Sequence, residues 1–243
     1  MNATLHQFFP IPGQGSMSSF CVKAQRTLNA CGIPFGVQNQ QGGRVLQTLN
    51  PGVGKLPVLE VDGRHIADST AIADWALANG DGAKLVPDDP LLADEARWLE
   101  DWSDESLYWF GVYLRWKAGF PAFRDAALVT IPAILHGPVG WVLRRPMMAQ
   151  LHGQGIGRLP LAQVLSLLEG HYDRLARRID AHDGFLVGGQ LTMADIAVFA
   201  MLQAQHAEIC PLSRERVQAR PTLVDWARRV DAATAGEHTA AWA

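Results

Sequence analysis

The run Gly54-Lys55-Leu56-Pro57-Val58-Leu59-Glu60-Val61-Asp62-Gly63-Arg64-His65-Ile66-Ala67-Asp68-Ser69 constrains this chain more than any other. It reads as a short strand opening at a proline, a tight Asp-Gly hairpin, a second short strand and an Asp-Ser helix start. Proline has no N–H to give to a sheet ladder, so Pro57 belongs at the first position of its strand. If the bond before Pro57 is cis, Leu56 turns its backbone outward, where an extended ligand can pair with it. Asp68 and Ser69 cap the next helix and leave free backbone N–H groups, which suit a carboxylate. A peptide-like edge beside an anion site points to a small acidic peptide as ligand.

The surrounding pattern places this run in an α/β unit. Leu5, Gln7 and Phe9 alternate as a strand, and Pro10 to Gly15 is a loop. Phe20, Ala24, Leu28 and Cys31 recur at helical spacing before Gly32, and Phe35 and Val37 open a second strand. Val45 to Asn50 is a short helix or turn, and Ser69 to Ala78 a helix after the hairpin. The order βαβ, α, ββα implies a mixed four-stranded sheet with helices on its faces, the first two strands being parallel.

Residues 81–90 carry two prolines, a glycine and several aspartates, the composition of a linker. The expected division is therefore an α/β domain over 1–80, the linker, and an all-helical domain over 91–243. Within the latter, Leu91 to Lys117 reads as one long helix, Leu161 to Ala181 as another, and Pro221 to Val230 as the last. Thr192-Met193-Ala194-Asp195 is a capping box before a buried helix. Ala126 to Leu143 is interrupted by Pro132, Gly137, Pro138 and Gly140, so it reads as loop and short helix rather than a membrane span.

Composition excludes several partners. A formal net charge of −3, with no basic block of five or more residues, gives no footprint for nucleic acid. The three cysteines, Cys21, Cys31 and Cys210, lack CxxC spacing, which argues against a disulfide framework or a zinc site. A reducing, cytoplasmic setting is the default, and the N-terminus does not read as a signal peptide. The eight histidines show no metal-ligand spacing, so no metal is expected.

Several side chains invite chemistry. Ser18 sits at the start of the first helix, where N–H groups and the helix dipole favour an anion. Its hydroxyl either caps the helix, the commoner role, or donates to a bound thiolate. Cys21 is a possible redox thiol, against the commoner role of small buried hydrophobe. Lys55 can pair with a ligand carboxylate or stand solvated. Trp98, Trp102, Trp109, Tyr113 and Trp116 fall on one helical face, the expected core of the second domain, with Trp109, Tyr113 and Trp116 as candidate walls of an apolar pocket.

These residues together resemble the glutathione transferase superfamily, with a thioredoxin-like N-terminal domain and a helical C-terminal domain. Lys55-Leu56-Pro57-Val58 looks like its cis-proline segment, Asp68-Ser69 like its γ-glutamyl contact, and Thr192 to Asp195 like its capping box. Ser18-Ser19-Phe20-Cys21-Val22-Lys23, Leu107-Tyr108-Trp109 and Gln154-Gly155-Ile156-Gly157-Arg158 are similar to the branch containing failed-axon-connections and metaxin proteins, except that Ser19 stands where proline is usual. The resemblance implies glutathione as cosubstrate, paired through the Leu56 backbone beside Pro57. Asp68 and Ser69 would hold its γ-glutamyl end, Lys55 would lie near its glycyl end, and Ser18 would address its sulfur. It also implies a small apolar electrophile against the helical domain, a homodimer and a role in detoxification. The alternatives are a non-catalytic metaxin-like scaffold and a glutathione-dependent thiol reductase using Cys21.

Overall fold

The computed structural model describes residues 2–40 and 43–242. Met1, Gln41, Gly42 and Ala243, which fall inside the expected domain spans, lie outside the described residues. The first unit contains β1 (Ala3–Phe8), α1 (Ser19–Ala30), β2 (Gly36–Gln40), α2 (Arg44–Leu49), β3 (Val58–Val61), β4 (Arg64–Ala67) and α3 (Ser69–Asn79). The strand order is β2-β1-β3-β4, with β1 parallel to β2 and antiparallel to β3, and β3 antiparallel to β4. This is the mixed thioredoxin-like sheet that the strand and helix order implied. Asp62 and Gly63 both have positive φ, 48° and 80°, which a two-residue hairpin needs to match the twist of its strands. The Leu56–Pro57 peptide bond is cis.

Side-chain alternation gives the sheet two different faces. Leu5, Leu59, Val61 and Ile66 pack with Leu28 of α1 and Ile72 and Ala76 of α3. Val58, Phe8 and Ala67 instead pack with Leu49 and Leu46 of α2.

After a 3₁₀ turn at Gly82–Leu85, the chain is helical: α4 (Pro90–Trp102), α5 (Tyr108–Val112), α6 (Phe120–Ala127), α7 (His136–Gln154), α8 (Leu161–Ala181), α9 (Met193–His206), α10 (Pro211–Gln218) and α11 (Pro221–Thr234). The expected single helix over 91–117 is instead broken. π-helical segments at Ser103–Leu107 and Tyr113–Ala118 interrupt it on either side of α5. Of the expected aromatic face, Tyr113 lies in the core of the helical domain and Trp102, Trp109 and Trp116 pack against it. Trp98, in α4 ahead of both π segments, is the exception at 74% exposed.

A second expectation holds only in part. Between Ala126 and Leu143 the end of α6, a turn and a 3₁₀ turn at Ala133–Leu135 match the expected loop and short helix, but from His136 the chain enters the 19-residue α7, which runs on to Gln154 with Pro138 in its first turn and Pro146 inside it. Pro138 falls where its missing N–H has no helical partner to lose, and a single internal proline removes only one bond of the ladder.

At the centre lies α9, every residue of which is buried. Apolar side chains all round are what such a helix requires. Its capping box is anchored by Asp195, which accepts hydrogen bonds from the N–H of Leu186 (2.8 Å), the N–H and hydroxyl of Thr192 (both 2.9 Å) and Nε1 of Trp226 (2.8 Å). Burial pushes the Asp195 carboxyl up, and those donors oppose the push.

The last residues strap back over α9. Trp242 stacks on His206 with ring centroids 4.1 Å apart, and the carbonyl of Ala240 accepts from Arg26 (2.8 Å) and Gln203 (3.0 Å). His206 is 5% exposed, and burial beside Arg214 lowers its pKa to about 4. In the unfolded chain the same imidazole titrates near its ordinary value of 6.5. As pH falls between those values the unfolded state takes up a proton that the folded state refuses, so stability is lost on acidification. Urea unfolding should show a loss of about 3 kcal/mol from this group between neutral pH and about pH 4. His206→Gln should flatten that part of the profile.

Candidate functional site

The loop before α1 is tied down by its own backbone. The Ser16 hydroxyl donates to the Phe8 carbonyl (2.8 Å) and accepts from the N–H of Ser18 (3.3 Å), and the N–H of Met17 donates to the Phe9 carbonyl (2.8 Å). Ser16 and Ser19 are buried, which leaves Ser18 as the serine of this loop that lines a cleft. Ser18 occupies the N-cap position with extended backbone (φ −96°, ψ 123°), yet its side chain makes no capping hydrogen bond. The hydroxyl at the positive end of α1 is therefore not spent on the helix cap, and it lies beside the Cys21 thiol at the edge of the cleft.

Two cavities meet at this point and share Phe20, Lys55, Leu56, Asp104 and Glu105. One, of about 560 Å³, runs along Leu56, Pro57 and Ala67 to Asp68, Ser69 and Thr70. The other, of about 400 Å³, lies between Ser18 and the helical domain. The expected residues Ser18, Lys55, Leu56, Pro57, Asp68 and Ser69 thus line one continuous cleft. Among the described residues, neither the N–H nor the carbonyl of Leu56 has a hydrogen-bond partner, so both are open to an extended ligand.

The start of α3 differs from expectation. Asp68 adopts a left-handed φ of 87°, and its carboxylate takes the N–H groups of Thr70 (2.8 Å) and Ala71 (3.3 Å). The helix cap is spent internally, and only the N–H of Ser69 at this turn has no partner among the described residues. What remains for a ligand is that N–H, the Ser69 hydroxyl and the outer oxygen of Asp68, a set that suits an amino-acid head group better than a lone carboxylate.

The second cavity is walled by aromatic side chains, though not all of those expected. Trp109 and Trp116 line it, whereas Tyr113 is 2% exposed and outside the cleft. The Tyr113 hydroxyl donates to the Leu159 carbonyl (3.0 Å), because the second π segment begins at this residue and turns it inward. Its place is taken by Tyr108, packed against Phe20 with centroids 4.7 Å apart, and by Phe123, packed on Trp116 at 4.8 Å. Cys21 is likewise no cleft thiol. It is fully buried, and burial pushes the thiol up against the opposing influence of the Phe8 backbone, Ser18 and Ser16.

Charged residues that the sequence did not single out hold the cleft's edges. Arg115 donates to the Met17 carbonyl (2.9 Å) and the Gly111 carbonyl (3.3 Å), fixing the serine loop from the helical domain. Lys23 of α1 is buried, with Nζ 2.6 Å from Glu100, 2.5 Å from Asp104 and 3.0 Å from the Thr70 hydroxyl. Burial alone would push this ammonium down, but Asp104 and Glu100 hold it above its ordinary value. Arg97 supplies a second cation to Glu100 at 2.9 Å. One signal was available in the sequence. Glu100 and Asp104 are like charges four apart, an arrangement that destabilises a helix unless a cation from elsewhere sits between them.

Two family comparisons cover more than half of the chain. The sequence pattern described as "Glutathione S-transferase N-terminal domain" matches residues 19–121, and "Glutathione S-transferase, C-terminal domain" matches 160–229. The chain belongs to the glutathione S-transferase superfamily. Solved structures agree on the fold along the whole length. Beta-etherase LigF from Sphingobium sp. strain SYK-6 superposes with a TM-score of 0.68 at 23% identity, covering 96% of both chains. Glutathione S-transferase 1-6 from Anopheles dirus species B gives 0.61 at 16% identity, covering 95% of this chain and 90% of that one. A glutathione S-transferase from Rhodospirillum rubrum F11 gives 0.59 at 19% identity, covering 94% and 87%. No curated protein sequence matches the chain.

Removing Lys23 should leave Glu100 and Asp104 buried without their cation. Lys23→Met is expected to cost about 3–5 kcal/mol of stability, read from the urea midpoint. The larger effect should be where the first unit meets the helices that follow it, seen as earlier proteolysis between α3 and α4.

Proposed function

We propose that this protein is a glutathione transferase that activates the glutathione thiol for attack on an apolar electrophile. The observation that carries this reading is the Ser18 hydroxyl, unspent on the helix cap at the N-terminus of α1 and lining the same cleft as the unpaired backbone of Leu56. Glutathione is an extended, acidic peptide with a thiol at its centre. Its cysteinyl backbone pairs with the N–H and carbonyl of Leu56. Its γ-glutamyl end meets Ser69 and Asp68, and its glycyl carboxylate lies near Lys55.

The sulfur then faces Ser18. A hydroxyl donating to sulfur favours the thiolate over the thiol, as does the positive end of the helix, so the proton leaves to solvent near neutral pH. The thiolate attacks an electrophilic carbon held among Tyr108, Trp109, Trp116 and Phe123. A carbon–sulfur bond forms from a sulfur lone pair, and either a leaving group departs with its bonding pair or the π pair of an activated double bond shifts towards its activating group and takes up a proton from solvent. The aromatic walls keep water from competing for the electrophile.

The remaining parts of this reading rest on general grounds. Cys21, Cys31 and Cys210 are all free and buried, in keeping with a reducing cytoplasmic setting. No helix of the described residues is long and apolar enough to cross a membrane. We read the protein as a homodimer acting in detoxification, allied to the failed-axon-connections and metaxin branch through the Ser18-Ser19-Phe20-Cys21 motif. The reductase alternative loses its thiol, because Cys21 is sealed away from the cleft.

The test is retention on immobilised glutathione, followed by conjugation assays with a panel of aryl halides, Michael acceptors and ethers. Ethers belong in the panel because one neighbour in fold is described as a beta-etherase. Ser18→Ala should lower kcat/KM by about 10- to 100-fold, the worth of one hydrogen bond to a charged group, with a smaller loss of glutathione affinity. Lys55→Ala should raise KM for glutathione and leave kcat nearly unchanged. Unchanged turnover in Ser18→Ala removes the hydroxyl from the mechanism, and failure of the native protein to bind glutathione hands the fold to the scaffold reading.

A further inference from the structure

His6, Glu60 and His65 are far apart in sequence, and their spacing matches no metal motif. The sheet brings them together. Glu60 of β3 lies directly opposite His65 of β4, and His6 of β1 pairs with Val58, two residues from Glu60 on the same face. Residues related in this diagonal way remain within reach of long side chains. His6 Nε2 is 3.1 Å from Glu60 Oε2, and His65 Nε2 is 3.8 Å from the same oxygen. One donor atom from each of the three falls within 4.8 Å of the others, the one such group found among the described residues.

We propose that these three side chains form a binding site for a divalent transition-metal ion of the zinc type. Two imidazoles and a carboxylate are a donor set that zinc accepts. Bonds of about 2.0–2.2 Å in a tetrahedral arrangement require donors roughly 3.3 Å apart, and the two measured separations bracket that value. The His65 side chain is partly exposed and free to close the remaining gap, while Glu60 beside it leaves a fourth position open to water.

The surroundings of His6 go beyond what a surface ion pair needs. The ring is 4% exposed, and its Nδ1 lies 3.1 Å from the Gln40 side-chain amide. With the metal absent, that amide donates to Nδ1 and Nε2–H donates to Glu60. Turning the amide over lets its oxygen accept from Nδ1–H, which frees the Nε2 lone pair for the metal. A ligating histidine usually has such an outer partner, which fixes both its ring and its tautomer. The site sits on the α2 side of the sheet, and none of its residues lines the glutathione cleft, so the proposal stands apart from the transferase reading. A metal there would clamp β1, β3 and β4 together.

The test is calorimetric titration of chelator-treated protein with zinc chloride, alongside thermal unfolding with and without the ion. One equivalent should bind and raise the melting temperature. His65→Ala and Glu60→Gln should each weaken binding roughly tenfold or more, and Gln40→Ala should weaken it by about 10- to 100-fold through the outer partner. His65 is exposed, so His65→Ala tests the site without threatening the fold. Absence of stoichiometric binding in the native protein, or unchanged binding in His65→Ala, would overturn the site.

Discussion

A single buried lysine joins the two halves of this protein. Lys23 leaves α1, crosses to the helical domain and ends between Glu100 and Asp104, with Thr70 of α3 as a third partner. Taking an ammonium and two carboxylates out of water is costly, and the arrangement survives because each charge meets an opposite charge at hydrogen-bond distance. The cluster acts beside apolar packing, in which Met193 and Ile196 of α9 enter the core of the first unit. Asp104 also lines both halves of the cleft, so the ion cluster that sets the domain angle sets the shape of the site.

Helix α1 is the pivot of the architecture. Its apolar face completes the sheet core through Ala24 and Leu28, and its other side carries buried cations into the helical domain. Arg26 reaches Asp231 at 2.7 Å, Thr234 at 2.8 Å and the Ala240 carbonyl at 2.8 Å, while its guanidinium lies over the Phe199 ring. Arg115 returns the contact by holding the Met17 carbonyl from the far side of the cleft. The N-terminus of α1, where Ser18 sits, is thus gripped from both domains. These contacts fix the position of the Ser18 hydroxyl at the edge of the cleft.

Much of this was legible in the order of residues. The Pro57 strand, the Asp62-Gly63 hairpin, the Thr192–Asp195 capping box and the extent of α8 follow from local preferences that tertiary context does not oppose. The cleft-lining positions Ser18, Leu56 and Ser69 were visible for the same reason, since each lies at or next to a strand or helix terminus that marks itself in the sequence. The start of α7 was missed because Gly137, Pro138 and Gly140 read as breakers, and the breaks in the expected single helix were missed because π turns leave no periodic trace.

What the chain determined by itself was its set of elements, their sequence-adjacent turns and the cleft positions at their ends, because those depend on residues close to one another along the backbone. What only the tertiary structure decided was which distant charges meet. Lys23 finds Glu100 and Asp104, Arg115 finds the Met17 carbonyl, and His6 finds Glu60 and His65, each across at least one intervening element. No spacing rule spans those gaps. Strand register and helix docking set them, and both are chosen by the burial of apolar faces, which are indifferent to the polar partners they bring together.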